Sequence, residues 1–345
     1  MLTTKQLIEI REHLEKAQNP LFLFDNDVDG LCSAMILQRV SGKGKAFPIK
    51  SFPGLDAKYL RRVEELNADY VFIMDKAEVE LDFLQGVSEK GIPIVCIDHH
   101  PVDISQEKLD LIHYYSSAEN GGEPTTFLAQ MVYERKEDEW LAMVGCIGDV
   151  YKPFFSKSYA KENPELFNNE LTPFNAMYMT EVGRITTMLN FGLKDTTTNV
   201  VNLMKLLVKA NNLYDLLEEN SRTRALHYKY KTLSEVLEKQ VEKGNKNAGK
   251  NLVYLEYSGE TSMSSEVSNR LMFEHPEKSV VIIFRKQDTT SVSLRGPKAK
   301  RIVEDVVLKI PGAKGGGHEV ACGAKIPLDE IENFKKALKE YLKEE

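Results

Sequence analysis

No stretch of this chain approaches the ~20 consecutive apolar residues that a membrane-spanning helix needs. Cysteine is scarce. Cys32, Cys96, Cys146 and Cys322 are far apart and have apolar or small neighbours, so neither a CxxC metal site nor a disulfide framework is indicated and buried, reduced thiols are expected. Positive charge is short as well: the formal net charge of −7 excludes a protein that coats nucleic acid by charge alone. No internal repeat or low-complexity tract is present. The opening segment "MLTTKQLIEIREHLEKAQNP" is an amphipathic helix with both charge signs rather than a signal peptide, and a cytoplasmic location is expected.

What is there fits about two domains: 345 residues, 42% hydrophobic and 28% charged. The charge is uneven. Residues 1–150 carry 15 lysines and arginines against 26 aspartates and glutamates, while residues 151–345 carry 30 against 26. An acidic first part suits cations, and a mildly basic second part suits an anion.

Short apolar runs alternate with helical patterns in the first part: "PLFLFD", "KAFPIKSF", "DYVFIMD", "IPIVCID" and "WLAMVGCIGD", with "GLCSAMILQRV" and "AKYLRRVEELN" as candidate helices between them. Strands apolar on both faces predict an α/β fold, a mostly parallel sheet flanked by helices. Residues 196–240 are largely helical, broken near "NSRTR", and "KGNKNAGKN" at 243–251 reads as a linker. Beyond it, "LVYLEY", "SVVIIFRK" and "TTSVSL" followed by helices predict a smaller α+β domain.

Four of the five apolar runs end in aspartate: Asp25, Asp75, Asp98 and Asp149. Ligands of open parallel sheets bind at the carboxyl ends of the strands, so these groups are expected to converge. A lone aspartate after a strand is usually a turn former or a helix N-cap. Here one belongs to "DNDVDG", with Asp25, Asp27, Asp29 and Gly30, and another to "IDHHP", with His99 and His100. Carboxylates gathered in this way share protons or bind a cation, and an oxygen-rich set with imidazole suits Mn²⁺ or Mg²⁺ before Zn²⁺ or Fe²⁺. The glycine of DxDxDG is expected to let backbone approach a ligand closely in a tight strand-to-helix turn. In the second part, Gly315, Gly316, Gly317 and His318 in "KGGGHEVACGA" offer consecutive N–H groups and a histidine to an anion, and Arg295 stands at a strand end where it could grip a phosphate.

Taken together these residues resemble the DHH phosphoesterases that carry a DHHA1 domain, and among them the RecJ-like single-strand nucleases of the compact archaeal kind. "DNDVDGLCSA", "VFIMD", "IVCIDHHP" and "GCIGD" stand for the four DHH motifs in order, and "GGGHEVACGA" for the DHHA1 signature. The resemblance implies a metal-binding DHH domain over residues 1–195, a helical linker over 196–248 and a DHHA1 substrate-binding domain over 249–345. It further implies two divalent cations, Mn²⁺ with Mg²⁺ as the alternative. Asp25 and Asp27 would hold one, Asp29, His99 and Asp149 the other, and Asp75 would bridge. Asp98 would orient His99, and His100 would face the scissile phosphate. Arg295, Gly315, Gly316, Gly317 and His318 would contact the substrate, and Arg184, in "EVGRITTMLN", would be a further phosphate contact. The chain departs from the family at two points. Asp25 stands where relatives often have histidine, and "DKAEVE" adds Lys76 and Glu78 beside the second motif.

The implied activity is a metal-dependent exonuclease that shortens single-stranded DNA or RNA to mononucleotides. The rival enzyme is a phosphodiesterase for short oligoribonucleotides or cyclic dinucleotides, which the acidic balance favours. A manganese pyrophosphatase would lack GGGH. A binding scaffold of the replisome would need none of the acids. Implied partners are single-stranded nucleic acid or a short oligonucleotide, together with a replication or repair protein.

Overall fold

Strands that are apolar on both faces need cover on both sides, and the first sheet has it. The structure is a computed structural model that describes residues 1–49, 54–76, 78–259, 261–286 and 289–341, with the side chains of Thr289 and His318 outside that description. The chain divides into two compact units, Met1–Tyr230 and Lys231–Glu345.

In the first unit β1 (Pro20–Asp25), β2 (Lys45–Ile49), β3 (Tyr70–Met74), β4 (Ile94–Asp98) and β5 (His113–Ser116) form a parallel sheet in the order β2-β1-β3-β4-β5. Alternation along β1 sends Phe22 and Phe24 to one face and Leu21 and Leu23 to the other. The phenylalanine face is covered by the helices Val28–Ser41, Thr125–Tyr133, Glu139–Gly148 and Glu181–Leu193. The leucine face is covered by Leu60–Glu65 and Leu81–Ser88. After β1 the chain pairs β2 on one side and then crosses to β3 on the other. The β1/β3 boundary is therefore the switch point at which sheets of this order open a crevice beyond their carboxyl ends.

Two expectations are corrected. The run "WLAMVGCIGD" is no strand: Glu139–Gly148 is a helix, so Asp149 stands at a helix end. A run of this length that is apolar all round is a buried helix, and periodicity alone does not separate the two. The fifth strand is instead β5, "HYYS", a short edge strand too polar to stand out by hydropathy. The run "KAFPIKSF" supplies β2 as far as Ile49; its residues 50–52 lie outside the described residues.

A buried ion pair ties the helical layer together. Arg39 Nε donates to Asp138 Oδ1 at 2.5 Å, and its NH1 group donates to the carbonyls of Leu207 (2.8 Å) and Ala210 (2.6 Å). One guanidinium thus closes the end of the Thr197–Lys209 helix and neutralises an aspartate with no solvent exposure.

The second unit is a mixed sheet of β6 (Leu252–Ser258), β7 (Ser279–Lys286), β8 (Thr289–Arg295), β9 (Lys314–His318) and β10 (Ala321–Ile326), in the order β6-β7-β8-β10-β9. Among the described residues only β6 and β7 pair in parallel. Val281, Ile283, Val292 and Leu294 pack against the helices Ala299–Asp305 and Ile331–Tyr341. The polar stretch 243–251 finishes the Arg224–Lys246 helix and turns into β6, where the Gly249 N–H donates to the Leu252 carbonyl at 2.8 Å. All four cysteines are buried thiols outside any disulfide. Among the described residues no helix is long and apolar enough to cross a membrane.

Removing one partner of a buried pair leaves the other charge uncompensated. Asp138→Ala is expected to cost about 3–5 kcal/mol, read as a lower urea midpoint at unchanged slope.

Candidate metal centre

The site grows from the strand ends. β1 stops at Asp25, and the Asp27 N–H turns back onto the Asp25 carbonyl at 2.8 Å. Asp27 then caps the Val28–Ser41 helix, its Oδ1 accepting from the Gly30 N–H at 2.9 Å. A Cβ on Gly30 would lie 2.4 Å from the Asp25 carbonyl oxygen. The glycine of DxDxDG is therefore there for the chain's own backbone, which corrects the expectation of a ligand at that spot.

Asp29, in the first turn, is buried and faces the start of another helix. Its two carboxylate oxygens accept from the backbone N–H groups of Thr125 (2.9 Å) and Thr126 (2.8 Å). The positive end of the Thr125–Tyr133 helix thus steadies that charge. Thr125 Oγ1 also donates to Asp75 Oδ1 at 3.1 Å. Asp75 follows β3 with φ 58°, the left-handed region, and is buried. Asp149 caps the Glu139–Gly148 helix, followed by Val150 at φ 55°, where glycine is the usual residue. Both positions carry backbone strain that persists only where packing over-determines them, a habit of functional sites.

His99 meets all three acids. Its Nε2 lies 3.4 Å from Asp75 Oδ1 and 3.8 Å from both Asp29 Oδ2 and Asp149 Oδ2. Asp29, His99 and Asp149, and likewise Asp75, His99 and His100, each offer ligand atoms within 4.8 Å of one another. With ion-to-ligand distances of about 2.0–2.2 Å, donors of one shell stand roughly 3 Å (adjacent) to 4.4 Å (opposite) apart, so the 3.4–3.8 Å separations around His99 suit a shared divalent ion better than direct hydrogen bonds. His100 Nδ1 lies 2.8 Å from Asp98 Oδ1, and the second oxygen of the fully buried Asp98 has no hydrogen-bond partner among the described residues. Asp98 therefore orients His100, where the resemblance implied His99: the chain turns directly after β4 and brings the second ring back over the strand's last side chain.

Family models match the chain in two places, "DHH family, N-terminal domain" over residues 21–148 and "DHHA1 domain" over residues 249–344. The chain belongs to the DHH phosphoesterase family, with a DHHA1 domain. No curated protein matches it in sequence. Among solved structures it is similar to exonuclease RecJ bound to manganese, with 18% identity, a TM-score of 0.63 and coverage of 99% of this chain and 94% of that one. It is also similar to RecJ from Thermus thermophilus in complex with Mn²⁺, with 17% identity and a TM-score of 0.66. That match covers 98% of this chain but only 54% of the Thermus protein. These likenesses make the fold RecJ-like.

The remaining predicted residues of this DHH protein lie as follows. Arg184, on the Glu181–Leu193 helix, pairs with Glu181 at 3.2 Å and lies over the Tyr230 ring at 6.0 Å. In the second unit Arg295 Nε donates to Asn269 Oδ1 at 2.6 Å, and its NH1 group donates to the Leu294 and Cys322 carbonyls. Gly315, Gly316 and Gly317 are the body of β9, an edge strand paired with β10, so their successive N–H groups alternate between the two edges and do not converge on one anion as expected. Gly316 pairs with Gly323, and a Cβ on either would meet nothing within 4 Å, which leaves a bare patch of backbone. The side chain of His318 lies outside the described residues. Sequence reasoning missed Thr125 and Thr126, although "EPTT" is a helix-start signal.

Electrostatics follow from crowding. Lost hydration, then Asp29 and Asp25, push Asp27 up to about 7; the residue's edge reaches solvent while its carboxyl is hemmed in by like charge, and the upward direction stands on that repulsion. Lost hydration of its carboxyl and Asp29 raise Asp149 to about 6, opposed by the two histidines; with the side chain 39% exposed, the direction stands on the repulsion from Asp29. Burial with four neighbouring aspartates raises Asp75 well above the ordinary carboxylate value. The Asp98 hydrogen bond raises His100. A carboxyl raised in the folded chain stabilises it below the ordinary carboxylate value, and that stability is lost as pH rises through the raised value. Without metal, the melting temperature is therefore expected to fall as pH rises through about 6 and about 7. Saturating Mn²⁺ is expected to abolish the fall and to release protons on binding, measured by calorimetry in buffers of different ionisation enthalpy.

Proposed function

We propose that this DHH protein is a divalent-metal-dependent phosphodiesterase, an exonuclease that shortens single-stranded DNA or RNA from an end to mononucleotides. The observation that carries the reading is His99 Nε2 among three carboxylates of separate elements, beside a second histidine held by a buried aspartate. A lone structural aspartate needs no such company, and a binding scaffold has no use for buried carboxylates with raised proton affinity. The RecJ structures, bound to manganese or, for the Thermus protein, also to magnesium, support nuclease chemistry with a divalent ion of either kind.

Asp29, Asp75, His99 and Asp149 would hold the metal, which when bound supplies Lewis acidity to a phosphodiester and to the attacking water. Asp75 is fixed by Thr125 and Asp29 by two backbone N–H groups, so the donors are set before metal arrives. His100 acts as general acid: Asp98 accepts from Nδ1–H, which leaves Nε2 to hold the proton that the leaving oxygen takes. Its raised proton affinity keeps it charged closer to neutral pH. The expected pair of ions fits less well at Asp25 and Asp27, where a lysine intervenes.

In this reading residues 1–195 are the metal-binding domain, 196–248 a linker and 249–345 the substrate domain. Arg295, Gly315, Gly316, Gly317 and His318 receive the nucleic-acid end, with Arg184 a phosphate contact. The bare backbone at Gly316 and Gly323 supports this, because a phosphate or base can approach it without meeting a side chain. The four buried thiols suit a reducing compartment, the cytoplasm, where a replication or repair protein is the natural partner. A second reading, hydrolysis of short oligoribonucleotides or cyclic dinucleotides, is favoured by the acidic first 150 residues, which repel a long polyanion.

The test is Mn²⁺-dependent digestion of end-labelled single strands, long and very short, DNA and RNA. Stepwise shortening of long strands is expected, slowed by roughly 10²-fold or more in Asp75→Ala. Cleavage of only the shortest substrates would select the second reading, and no cleavage with metal bound would leave a binding role.

A further inference from the structure

We propose that the centre takes a single divalent cation, at the His99 end of its carboxylates, and that the ammonium of Lys76 supplies the positive charge at the Asp25 end. This rests on the phosphodiesterase reading only in taking the cluster for a metal site.

A pair of ions would divide the cluster, with Asp25 and Asp27 at one end and Asp29, His99 and Asp149 at the other. The two ends are built differently. At the far end, both groups of converging ligand atoms centre on His99, and among the described residues neither group includes Asp25 or Asp27. At the near end, Lys76 Nζ donates to Asp25 Oδ1 at 3.2 Å. The lysine is no surface side chain reaching for a convenient acid, since it is only 8% exposed. A buried ammonium is tolerated only beside compensating charge, and this one has found it in the first carboxylate of DNDVDG.

The fold explains the meeting. β1 and β3 are neighbours in register, Phe24 beside Met74, so the residues just past their ends lie side by side. Asp75 leaves β3 with φ 58°, and the next residue is Lys76. An ion on Asp25 would compete with the lysine for the carboxylate's lone pairs and be repelled by its charge at close range. The ammonium is thus a fixed cation, present at every metal concentration.

Manganese bound per chain, counted by elemental analysis after equilibrium dialysis, tests this without reference to turnover, and electron paramagnetic resonance distinguishes an isolated Mn²⁺ from a coupled pair. The expected result is one ion with an isolated spectrum in the wild type, and a second, coupled ion in Lys76→Ala. Two ions in the wild type, or one in both proteins, would overturn the assignment. Should Lys76→Ala fail to fold, Asp25→Asn decides: its manganese affinity is expected to stay within a few-fold of wild type, whereas a loss of about 10–100-fold would show Asp25 to be a metal ligand. No manganese in any variant sinks both this inference and the phosphodiesterase reading. One ion without strand cleavage sinks only the latter, and two ions with cleavage only the former.

Discussion

Carboxylates that share a small, partly dry space repel one another, and the first unit is arranged around satisfying that repulsion. Asp25, Asp27, Asp29, Asp75, Asp98 and Asp149 come from the ends of three strands and two helices, and four of them have a distinct answer to their charge. Asp29 takes backbone N–H groups at a helix start, Asp98 takes an imidazole, Asp25 takes an ammonium and Asp27 caps a helix. Asp29, Asp75 and Asp149 around His99 are the part best suited to a metal ion. Crowding by like charge pushes Asp27, Asp75 and Asp149 upward, the direction expected where compensation is incomplete without one.

The rest of the unit serves to hold those groups in place. The β2-β1-β3-β4-β5 order puts the switch point between β1 and β3, beside Asp25 and Asp75. The phenylalanine face of the sheet binds the helices that deliver Asp29, Thr125 and Asp149, so the stability of the core and the geometry of the site are one problem. The left-handed Asp75 and Val150 are local costs, offset by that packing.

Much of the centre was legible in the chain because charge at the end of an apolar run is conspicuous. β1, β3 and β4 each stand in the sequence as a run closed by an aspartate, and the DHH and GGGH motifs named the family that the domain matches then showed. Legibility failed where local pattern is ambiguous or where a contact is distant. The run before Asp149 was apolar all round, which a buried helix and a buried strand share. The glycine triplet has no side chains to display period two, so its strand pairing with β10 was invisible. Thr125 lies 96 residues from Asp29, and nothing in local sequence joins them.

The chain by itself determined the kinds of group on hand: acids and a histidine pair after apolar strands, reduced thiols, and a family whose members carry both motifs. That follows because hydropathy and residue type are properties of single positions and short spacings. Tertiary structure alone decided who meets whom: that Asp98 holds His100 and not His99, that Gly30 clears the backbone of Asp25, and that Lys76 answers Asp25. Those are matters of two or three ångströms between atoms brought together by strand order and backbone turn, and a linear pattern does not carry distances.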